Sequence, residues 1–219
     1  ASDGDMGAWR GAKWIVAGKI KGEPGNNLLR KTFSLPTGVT RGCLYVACMG
    51  YFRATVNGQS ISNMTLGDFT NFEKRIWYST FNVTTNLKSG ENVLGFELSG
   101  GWDSRHGAGK NGNSVTVRLS VDLNDSTHRD IISDTSFMSG QGPLSASDIY
   151  NGETYNASRN VFGWNGPGFQ TNSRWVNVTV GASPHNLTKH PWDKPSILSS
   201  HASLPQVEVV GSATPVSIW

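Results

Sequence analysis

Apolar and polar residues alternate along many short segments of this chain, and stretches rich in glycine and asparagine separate these segments. Alternation with a period of two is typical of a β-strand that buries one face. No segment shows the periodicity of an amphipathic helix at a convincing length, and no internal repeat is evident. The strands predicted from this pattern are 28–35, 42–52, 75–81, 92–98, 114–122, 176–180 and 207–210.

The strongest local signal is Asn57-Gly58, which stands between two short alternating segments within residues 53–61. Asn-Gly is favoured in the two-residue type I′ turn of a β-hairpin, because both turn positions need a positive φ. The pair therefore predicts a tight hairpin. Gly50, inside the apolar segment 42–52, predicts a bend or bulge in that strand.

Many short strands with long connections favour an all-β fold, and among all-β folds a jelly-roll β-sandwich. The composition agrees, since 16% charged residues are too few for a disordered chain and 26 glycines disfavour long helices. We predict one jelly-roll β-sandwich module over residues 1–190. Residues 191–219, which include four prolines, are predicted to be a Pro/Ser-rich C-terminal tail or linker.

The net charge of the chain is small, because 19 basic and 16 acidic residues leave +3. The basic residues are scattered, whereas a nucleic-acid-binding protein usually has a basic stripe or patch. No apolar run approaches the roughly 18 residues that a membrane-spanning helix needs. We therefore predict neither nucleic acid nor a membrane as a partner.

Cys43 and Cys48 both lie in the predicted strand 42–52. Their odd spacing places them on opposite faces of that strand. Over this spacing an extended strand separates them by about 16 Å, well beyond the reach of a disulfide. We predict two free, buried thiols.

Six Asn-x-Ser/Thr sequons indicate an extracellular, secreted glycoprotein. Several of them fall at predicted strand ends or in polar loops, where a glycan would stand clear of the fold. The candidate glycosylation sites are Asn63, Asn82, Asn124, Asn156, Asn177 and Asn186.

Sequence motifs of common active sites are absent. The chain has no Gly-x-Ser-x-Gly, His-Glu-x-x-His, phosphate-binding Gly-x-x-x-x-Gly-Lys or Cys-x-x-Cys motif. The five histidines show no metal-ligand spacing. We therefore predict that the chain has no catalytic residues and is not an enzyme by itself.

One candidate ligand site is the loop 147–155, which carries Asp148, Asn151 and Glu153 among glycine and tyrosine residues. Carboxylate and amide oxygens can hydrogen-bond sugar hydroxyls, and Asp148 and Glu153 are also candidate ligands for Ca²⁺, which prefers oxygen donors. Two alternatives stay open. The two carboxylates could form a glycosidase pair, or the loop could be a turn stabilised by its own Asp and Asn side chains.

A second candidate is the long loop 100–113, in which Trp102, Asp103 and Arg105 stand close together. Sugars have apolar CH faces and polar edges, so an aromatic platform beside planar polar groups suits a carbohydrate site. Alternatively, Trp102 closes one end of the sandwich core, and Asp103 and Arg105 form a surface ion pair.

Several motifs occur in a fixed order along the chain. They are Leu28-Leu29-Arg30-Lys31-Thr32-Phe33, Leu44-Tyr45-Val46-Ala47, Gly50-Tyr51, Val56-Asn57-Gly58, Thr70-Asn71-Phe72-x-Lys74-Arg75, Gly90-Glu91-Asn92-Val93-Leu94, Gly101-Trp102 and Ser147-Asp148-Ile149-Tyr150-Asn151-Gly152-Glu153. In this order they resemble the amino-terminal β-sandwich domain of bacterial-type α-L-rhamnosidases over residues 14–188. The block from Asp148 to Glu153 is the most specific of these motifs.

The resemblance implies a jelly-roll accessory domain, some members of which bind L-rhamnose together with Ca²⁺. Catalysis in the complete enzymes belongs to a separate helical barrel, and nothing in this sequence matches such a barrel. The chain departs from the family pattern at Asn82 and Asn156, where sequons replace motifs that often contain aspartate. Asp103 also stands where an aromatic residue is common.

The leading hypothesis is a secreted, non-catalytic carbohydrate-binding module or lectin for L-rhamnose or a related sugar, with Ca²⁺ as a candidate cofactor. One alternative is a glycosylated building block of an extracellular filament, layer or adhesive, which would self-associate through strand edges. A further alternative is a fragment of a complete α-L-rhamnosidase.

Overall fold

The computed structural model describes residues 9–18, 27–61, 75–100, 114–148, 150–181 and 196–200. Fifteen strands and two short 3-10 turns, Thr84–Asn86 and Ala157–Arg159, occur in these residues. The strands are β1 Ile15–Val16, β2 Leu28–Leu35, β3 Val39–Cys48, β4 Tyr51–Val56, β5 Gln59–Ser60, β6 Arg75–Asn82, β7 Gly90–Ser99, β8 Ser114–Leu123, β9 His128–Ile132, β10 Met138–Gly140, β11 Leu144–Asp148, β12 Gly152–Tyr155, β13 Trp175–Asn177, β14 Thr179–Val180 and β15 Ser196–Ser200.

Two sheets and one hairpin contain all of these strands. The first sheet has the order β14-β1-β8-β3-β6-β15, with β9 pairing β8 on the same side as β1, and the second has the order β13-β10-β2-β7-β4-β5. Strands β11 and β12 form a separate antiparallel hairpin. All the pairings are antiparallel except that of β15 with β6. The predicted all-β, jelly-roll β-sandwich class is confirmed.

The core lies between the two sheets, because alternate residues of each strand point toward the facing sheet. From β3, Leu44 and Val46 are fully buried, and from β7, Leu94, Phe96 and Leu98 are fully buried in the same apolar cluster. Each such side chain contributes about 1.5–3 kcal/mol through removal from water. The alternation that predicted the strands is therefore the pattern that fills this core.

The structure divides the predicted strand 42–52 into β3 and β4. Gly50 has a φ of +97° between them, and a side chain at this position would collide with the carbonyl oxygen of Ser99. The prediction of a bend at Gly50 is correct, but the bend is a reversal from one sheet to the other. The hairpin is also confirmed, since Asn57 and Gly58 have φ values of 53° and 81° between β4 and β5.

Both cysteines belong to β3 and are free thiols, as predicted. Cys48 is buried in the core between the sheets, whereas Cys43 is half-buried. The expectation that both thiols are buried is therefore wrong for Cys43, because the odd spacing places it on the outer side of the first sheet.

The outer side of the first sheet, which we call the closed face, is covered by the segment that precedes β1. Trp9, Ala12 and Trp14 pack there with Ala47 and Met49 in a second buried apolar cluster. Trp9 and Trp14 are each only 5% exposed. The closed face is thus a second, smaller core.

Charged residues beside this cluster pair with one another. Asp130 Oδ1 lies 2.8 Å from Arg118 Nε and 3.2 Å from His128 Nε2, and Asp122 Oδ1 lies 2.7 Å from His128 Nδ1. Burial opposes ionisation of Asp130, but hydrogen bonds from Arg118 and His128 outweigh it and lower the pKa of this carboxyl. Arg118, Asp122, His128 and Asp130 are therefore paired with one another within the fold.

Strand β15 lies in the segment that the sequence predicted as a tail, and its backbone extends the first sheet by pairing with β6. The sheet therefore takes in residues 196–200, while the boundary at residue 190 stays a prediction. The predicted strand 207–210 lies outside the described residues. Within the described part of the chain, no helix is long and apolar enough to cross a membrane.

Candidate functional site

The sequence-predicted site residues fall into two groups. Trp102, Asp103 and Arg105 lie outside the described residues and stay predictions. Asp148, Asn151 and Glu153 belong to the β11–β12 hairpin, and Asn151 and Glu153 are exposed.

The register of this hairpin separates the two predicted Ca²⁺ ligands. Asp148 is paired with Gly152, and Glu153 is paired with Ser147. Since neighbouring positions of a strand belong to alternate faces, positions 148 and 153 belong to opposite faces of the hairpin. Nowhere in the described residues do three or more His, Cys, Asp or Glu side chains gather in a way that could hold a metal ion. Calcium therefore stays a prediction.

The hairpin is attached to the end of the second sheet by specific hydrogen bonds. Ser99 Oγ, at the end of β7, donates to Ser147 Oγ over 2.6 Å. The backbone N–H of Asn156 donates to the carbonyl oxygen of Pro143 over 2.8 Å. These bonds place Tyr155, the last residue of β12, against the outer side of the second sheet.

A cleft of about 200 Å³ opens at this point, which we call the aromatic cleft. Tyr155 and Phe162 are 58% and 89% exposed, although large aromatic side chains are usually mostly buried. On the sheet, Arg53 Nη1 lies 3.4 Å from Glu97 Oε2 in a partly exposed ion pair. The lining residues are Leu28, Arg53, Glu97, Pro143, Tyr155, Asn160, Val161, Phe162 and Trp164.

Arg30, on β2, holds the loop that contains Phe162 and Trp164 against the second sheet. Arg30 Nε donates to the carbonyl oxygen of Trp164 over 2.9 Å, and its guanidinium lies 5.3 Å from the ring centre of Phe169. Burial lowers the pKa of Arg30, and the charge of Glu91 opposes this shift. Glu91 also accepts a hydrogen bond from the backbone N–H of Gly168 over 2.8 Å.

Two glycines leave the space that the loop needs on the sheet. A side chain at Gly95 would place its Cβ 2.5 Å from Thr55 Oγ1 and 2.7 Å from Asn165 Cβ. A side chain at Gly140 would place its Cβ 2.7 Å from the indole of Trp175. Trp175 is buried and stacks on Trp164 with ring centres 6.2 Å apart. The loop beneath the aromatic cleft is thus packed closely against the second sheet.

A second depression of about 160 Å³, which we call the basic cleft, adjoins the first. Arg159 ends a 3-10 turn, and Arg174 immediately precedes β13. The two clefts share Asn160 and Val161. The lining residues of the basic cleft are Gln141, Ser158, Arg159, Asn160, Val161, Asn172, Arg174 and Trp175.

Four of the six sequons fall in described residues, and all four asparagines are exposed: Asn82, Asn124, Asn156 and Asn177. In two of them the side chains of the sequon bond to each other, since Asn82 Oδ1 accepts from Thr84 Oγ1 and Asn156 Oδ1 accepts from Ser158 Oγ, both over 2.7 Å. Glycosylation stays a prediction at all six positions. The remaining two, Asn63 and Asn186, lie outside the described residues.

Sequence reasoning missed both clefts. Arg53 and Glu97 are far in sequence from the loop 160–174, and only the pairing of β4 with β7 brings them together. One signal was available, namely the concentration of aromatic residues in a stretch rich in glycine and asparagine. Those residues are Tyr155, Phe162, Trp164, Phe169 and Trp175.

Comparisons with known proteins agree with one another. A family model described as the α-L-rhamnosidase N-terminal domain matches residues 37–199. An α-L-rhamnosidase of Streptomyces avermitilis is 30% identical over 179 residues, which are 78% of this chain and 17% of that protein. The chain spans between 16% and 19% of the length of the curated relatives that it matches.

Solved structures show the same relationship. The α-L-rhamnosidase from Dictyoglumus thermophilum has a TM-score of 0.73 and 27% identity, covering 82% of this chain and 22% of that one. The Streptomyces avermitilis α-L-rhamnosidase, solved in complex with L-rhamnose, has a TM-score of 0.66 and 29% identity, covering 71% of this chain and 16% of that one.

Proposed function

This chain belongs to the α-L-rhamnosidase N-terminal domain family, as the resemblance predicted, and we propose that it is a non-catalytic carbohydrate-binding module whose sugar site is the aromatic cleft. The observation that carries the proposal is the set of exposed aromatic side chains, Tyr155 and Phe162, beside the Arg53–Glu97 ion pair. Large exposed apolar side chains grouped in a concave site are typical of ligand binding.

The chemistry of the aromatic cleft suits a deoxy sugar. The CH groups of a pyranose ring pack against aromatic faces, and its hydroxyls hydrogen-bond to planar polar groups such as a guanidinium or a carboxylate. The half-buried Val161 adds aliphatic surface that would accept a methyl group. L-rhamnose carries such a methyl group, and the Streptomyces relative was solved with L-rhamnose bound. These features support L-rhamnose or a related sugar as the ligand.

The carboxylates of the aromatic cleft support binding without cleavage. Glycosidases of the common type use two carboxyl groups on either side of the bond that they cleave. Among the described residues that line the aromatic cleft, Glu97 is the one carboxylate, and it is paired with Arg53. The family model likewise matches this chain to the N-terminal domain of the rhamnosidases.

We also infer that the module works as part of a longer, extracellular α-L-rhamnosidase. The supporting observation is that the matched segments make up less than a fifth of each curated relative. A binding module joined to a catalytic domain raises the local concentration of that domain at its substrate. The hypothesis of a self-associating building block stays a prediction.

The test is calorimetric titration of L-rhamnose and a panel of other monosaccharides, once with Ca²⁺ and once with a chelator. We expect saturable binding that falls on the order of tenfold in Phe162→Ala and in Arg53→Gln, because each change removes one ligand contact. Tyr150→Ala is the matched control, since Tyr150 is 60% exposed and does not line the cleft.

Each result has a definite meaning. Equal losses in Phe162→Ala and in Tyr150→Ala would show that the aromatic cleft is not the site. An absence of heat with every sugar, in both conditions, would contradict the binding function itself. Binding that requires Ca²⁺ would support the predicted cofactor.

A further inference from the structure

The two arginines of the basic cleft differ from the other arginines near them. On this side of the sandwich, Arg53 lies within 4 Å of a carboxylate, and Arg30 donates to backbone carbonyl oxygens. Within the described residues, neither Arg159 nor Arg174 has a carboxylate at salt-bridge distance. The basic cleft therefore contains two positive charges that the described part of the fold does not neutralise.

The groups around these charges are suited to hold an anion. Three amide side chains, those of Gln141, Asn160 and Asn172, line the basic cleft with Arg159 and Arg174. The guanidinium group presents a planar set of N–H donors that matches a carboxylate or a sulfate in two-pronged geometry. Charge-assisted hydrogen bonds of this kind are about twice as strong as those between neutral groups.

The position of the basic cleft links it to the aromatic cleft. Asn160 and Val161 line both depressions. The Oδ1 atom of Asn160 accepts a hydrogen bond from the Tyr155 hydroxyl over 2.8 Å, so this amide is held at the boundary. One ligand that fills both clefts must therefore have two adjoining parts, an uncharged ring and an anionic group.

We propose that the basic cleft binds the anionic group of an acidic polysaccharide, a uronic acid carboxylate or a sulfate ester, next to the neutral sugar in the aromatic cleft. This inference rests on the proposed function, because it assigns a second subsite to the same carbohydrate. The ligand class is then an acidic glycan in which a deoxy sugar adjoins a charged residue.

The test compares two disaccharides that differ in one group. The first is D-glucuronic acid linked to L-rhamnose, and the second is the same disaccharide with its carboxyl group reduced to an alcohol. We expect the acidic disaccharide to bind about tenfold more tightly, and we expect added salt to diminish this preference. A sulfated rhamnose disaccharide forms a third arm, and a preference for it over the uronate would identify a sulfate ester as the anion.

The test variant carries two substitutions, Arg159→Gln and Arg174→Gln. Arg129→Gln is the control for the loss of a positive charge. Arg129 is exposed on β9, away from both clefts. We expect the double variant to lose the preference for the acidic disaccharide while it keeps the affinity for L-rhamnose. The control should keep both, and equal melting temperatures would show that the fold is intact.

The outcomes separate this inference from the proposed function. Equal affinity for the acidic and reduced disaccharides, with L-rhamnose still bound, would overturn the anionic subsite and leave the aromatic cleft in place. Unchanged affinity for both disaccharides in Phe162→Ala, together with loss of the preference in the double variant, would support the subsite and overturn the aromatic cleft. A preference that survives in the double variant would overturn the subsite as well.

Discussion

Segments that contain tryptophan cover both outer sides of the sandwich. The two sides nevertheless differ in how far their aromatic and charged side chains are exposed. On the closed face, Trp9 and Trp14 are almost completely buried, and the nearby charges are paired. On the opposite side, Trp164 and Trp175 stack on the sheet, but Phe162 projects into solvent. The arginines of the basic cleft likewise have no carboxylate partner among the described residues.

The comparison shows that aromatic content alone does not indicate a binding site. What distinguishes the two sides is whether the aromatic faces are covered and whether the charges are satisfied within the fold. The closed face contributes to stability, and the cleft side is the surface that we propose for binding. We therefore expect substitutions on the closed face to lower stability without changing sugar affinity. Substitutions of exposed residues in the aromatic cleft should lower sugar affinity with little change in stability.

The largest effect is expected on the closed face. Trp14→Ala should lower the free energy of unfolding by about 3–5 kcal/mol, because it removes a large buried side chain and leaves a cavity. The measurement is urea-induced unfolding, and L-rhamnose affinity should be unchanged under native conditions. A loss of less than about 1 kcal/mol would show that the segment before β1 is not firmly packed.

The next effect concerns the base of the aromatic cleft. Gly95→Ala should cost about 1–3 kcal/mol in unfolding free energy, because its Cβ would overlap Thr55 Oγ1 and Asn165 Cβ. It should also weaken sugar binding, since the loop must move. Gly166→Ala is the control, because a Cβ there meets its nearest atom at 3.5 Å. Equal binding by the two variants would contradict this role of Gly95.

A smaller effect on stability is expected within the cleft. Phe162→Ala should change the unfolding free energy by less than about 0.5 kcal/mol, because the ring is 89% exposed. Its effect should instead be on sugar affinity. Chemical unfolding and calorimetric titration of the same preparation would check both. A large loss of stability in this variant would show that Phe162 belongs to the folded core.

The last effect is expected from His128, and it depends on pH. Its hydrogen bond with Asp122 raises the pKa of the imidazole, burial opposes the shift, and Asp130 adds to it. A raised pKa means that the folded state favours the charged imidazole. The stabilisation is complete below the unfolded pKa of about 6.5, and it is lost as pH rises through the higher folded pKa.

The measurement is the unfolding free energy of wild type and His128→Gln across this pH range. Because the His128 side chain is 38% exposed, solvent screening should keep the difference below about 1 kcal/mol. The advantage of wild type should shrink as the pH rises. Parallel pH profiles for the two proteins would contradict this prediction.

The sequence predicted the long strands well, for a physical reason. Strands β2, β7 and β8 each contain several alternating residues that enter one core, so their pattern is strong. Strands β1 and β10 have two and three residues, too few for a period to be visible. They exist because neighbouring strands offer hydrogen-bonding partners.

The candidate site could be predicted only in part. Local composition pointed to the loop that contains Asn151 and Glu153, and the structure does place both on an exposed hairpin beside the aromatic cleft. The cleft itself depends on Arg53 and Glu97, which meet through strand pairing. Contacts between distant strands are a property of topology, and local composition carries no information about them.

The pairing of β1 has a consequence for how the protein folds. This two-residue strand joins Ile15 to Val115 on one side and to Val180 on the other. Such distant pairings require large loops to close before any contact stabilises them, which slows folding to milliseconds or longer. The edge of the first sheet can therefore form only after most of the chain has been synthesised. Until then, Ser114 and Val115 of β8 lack their β1 partner, and this short edge can pair with another molecule.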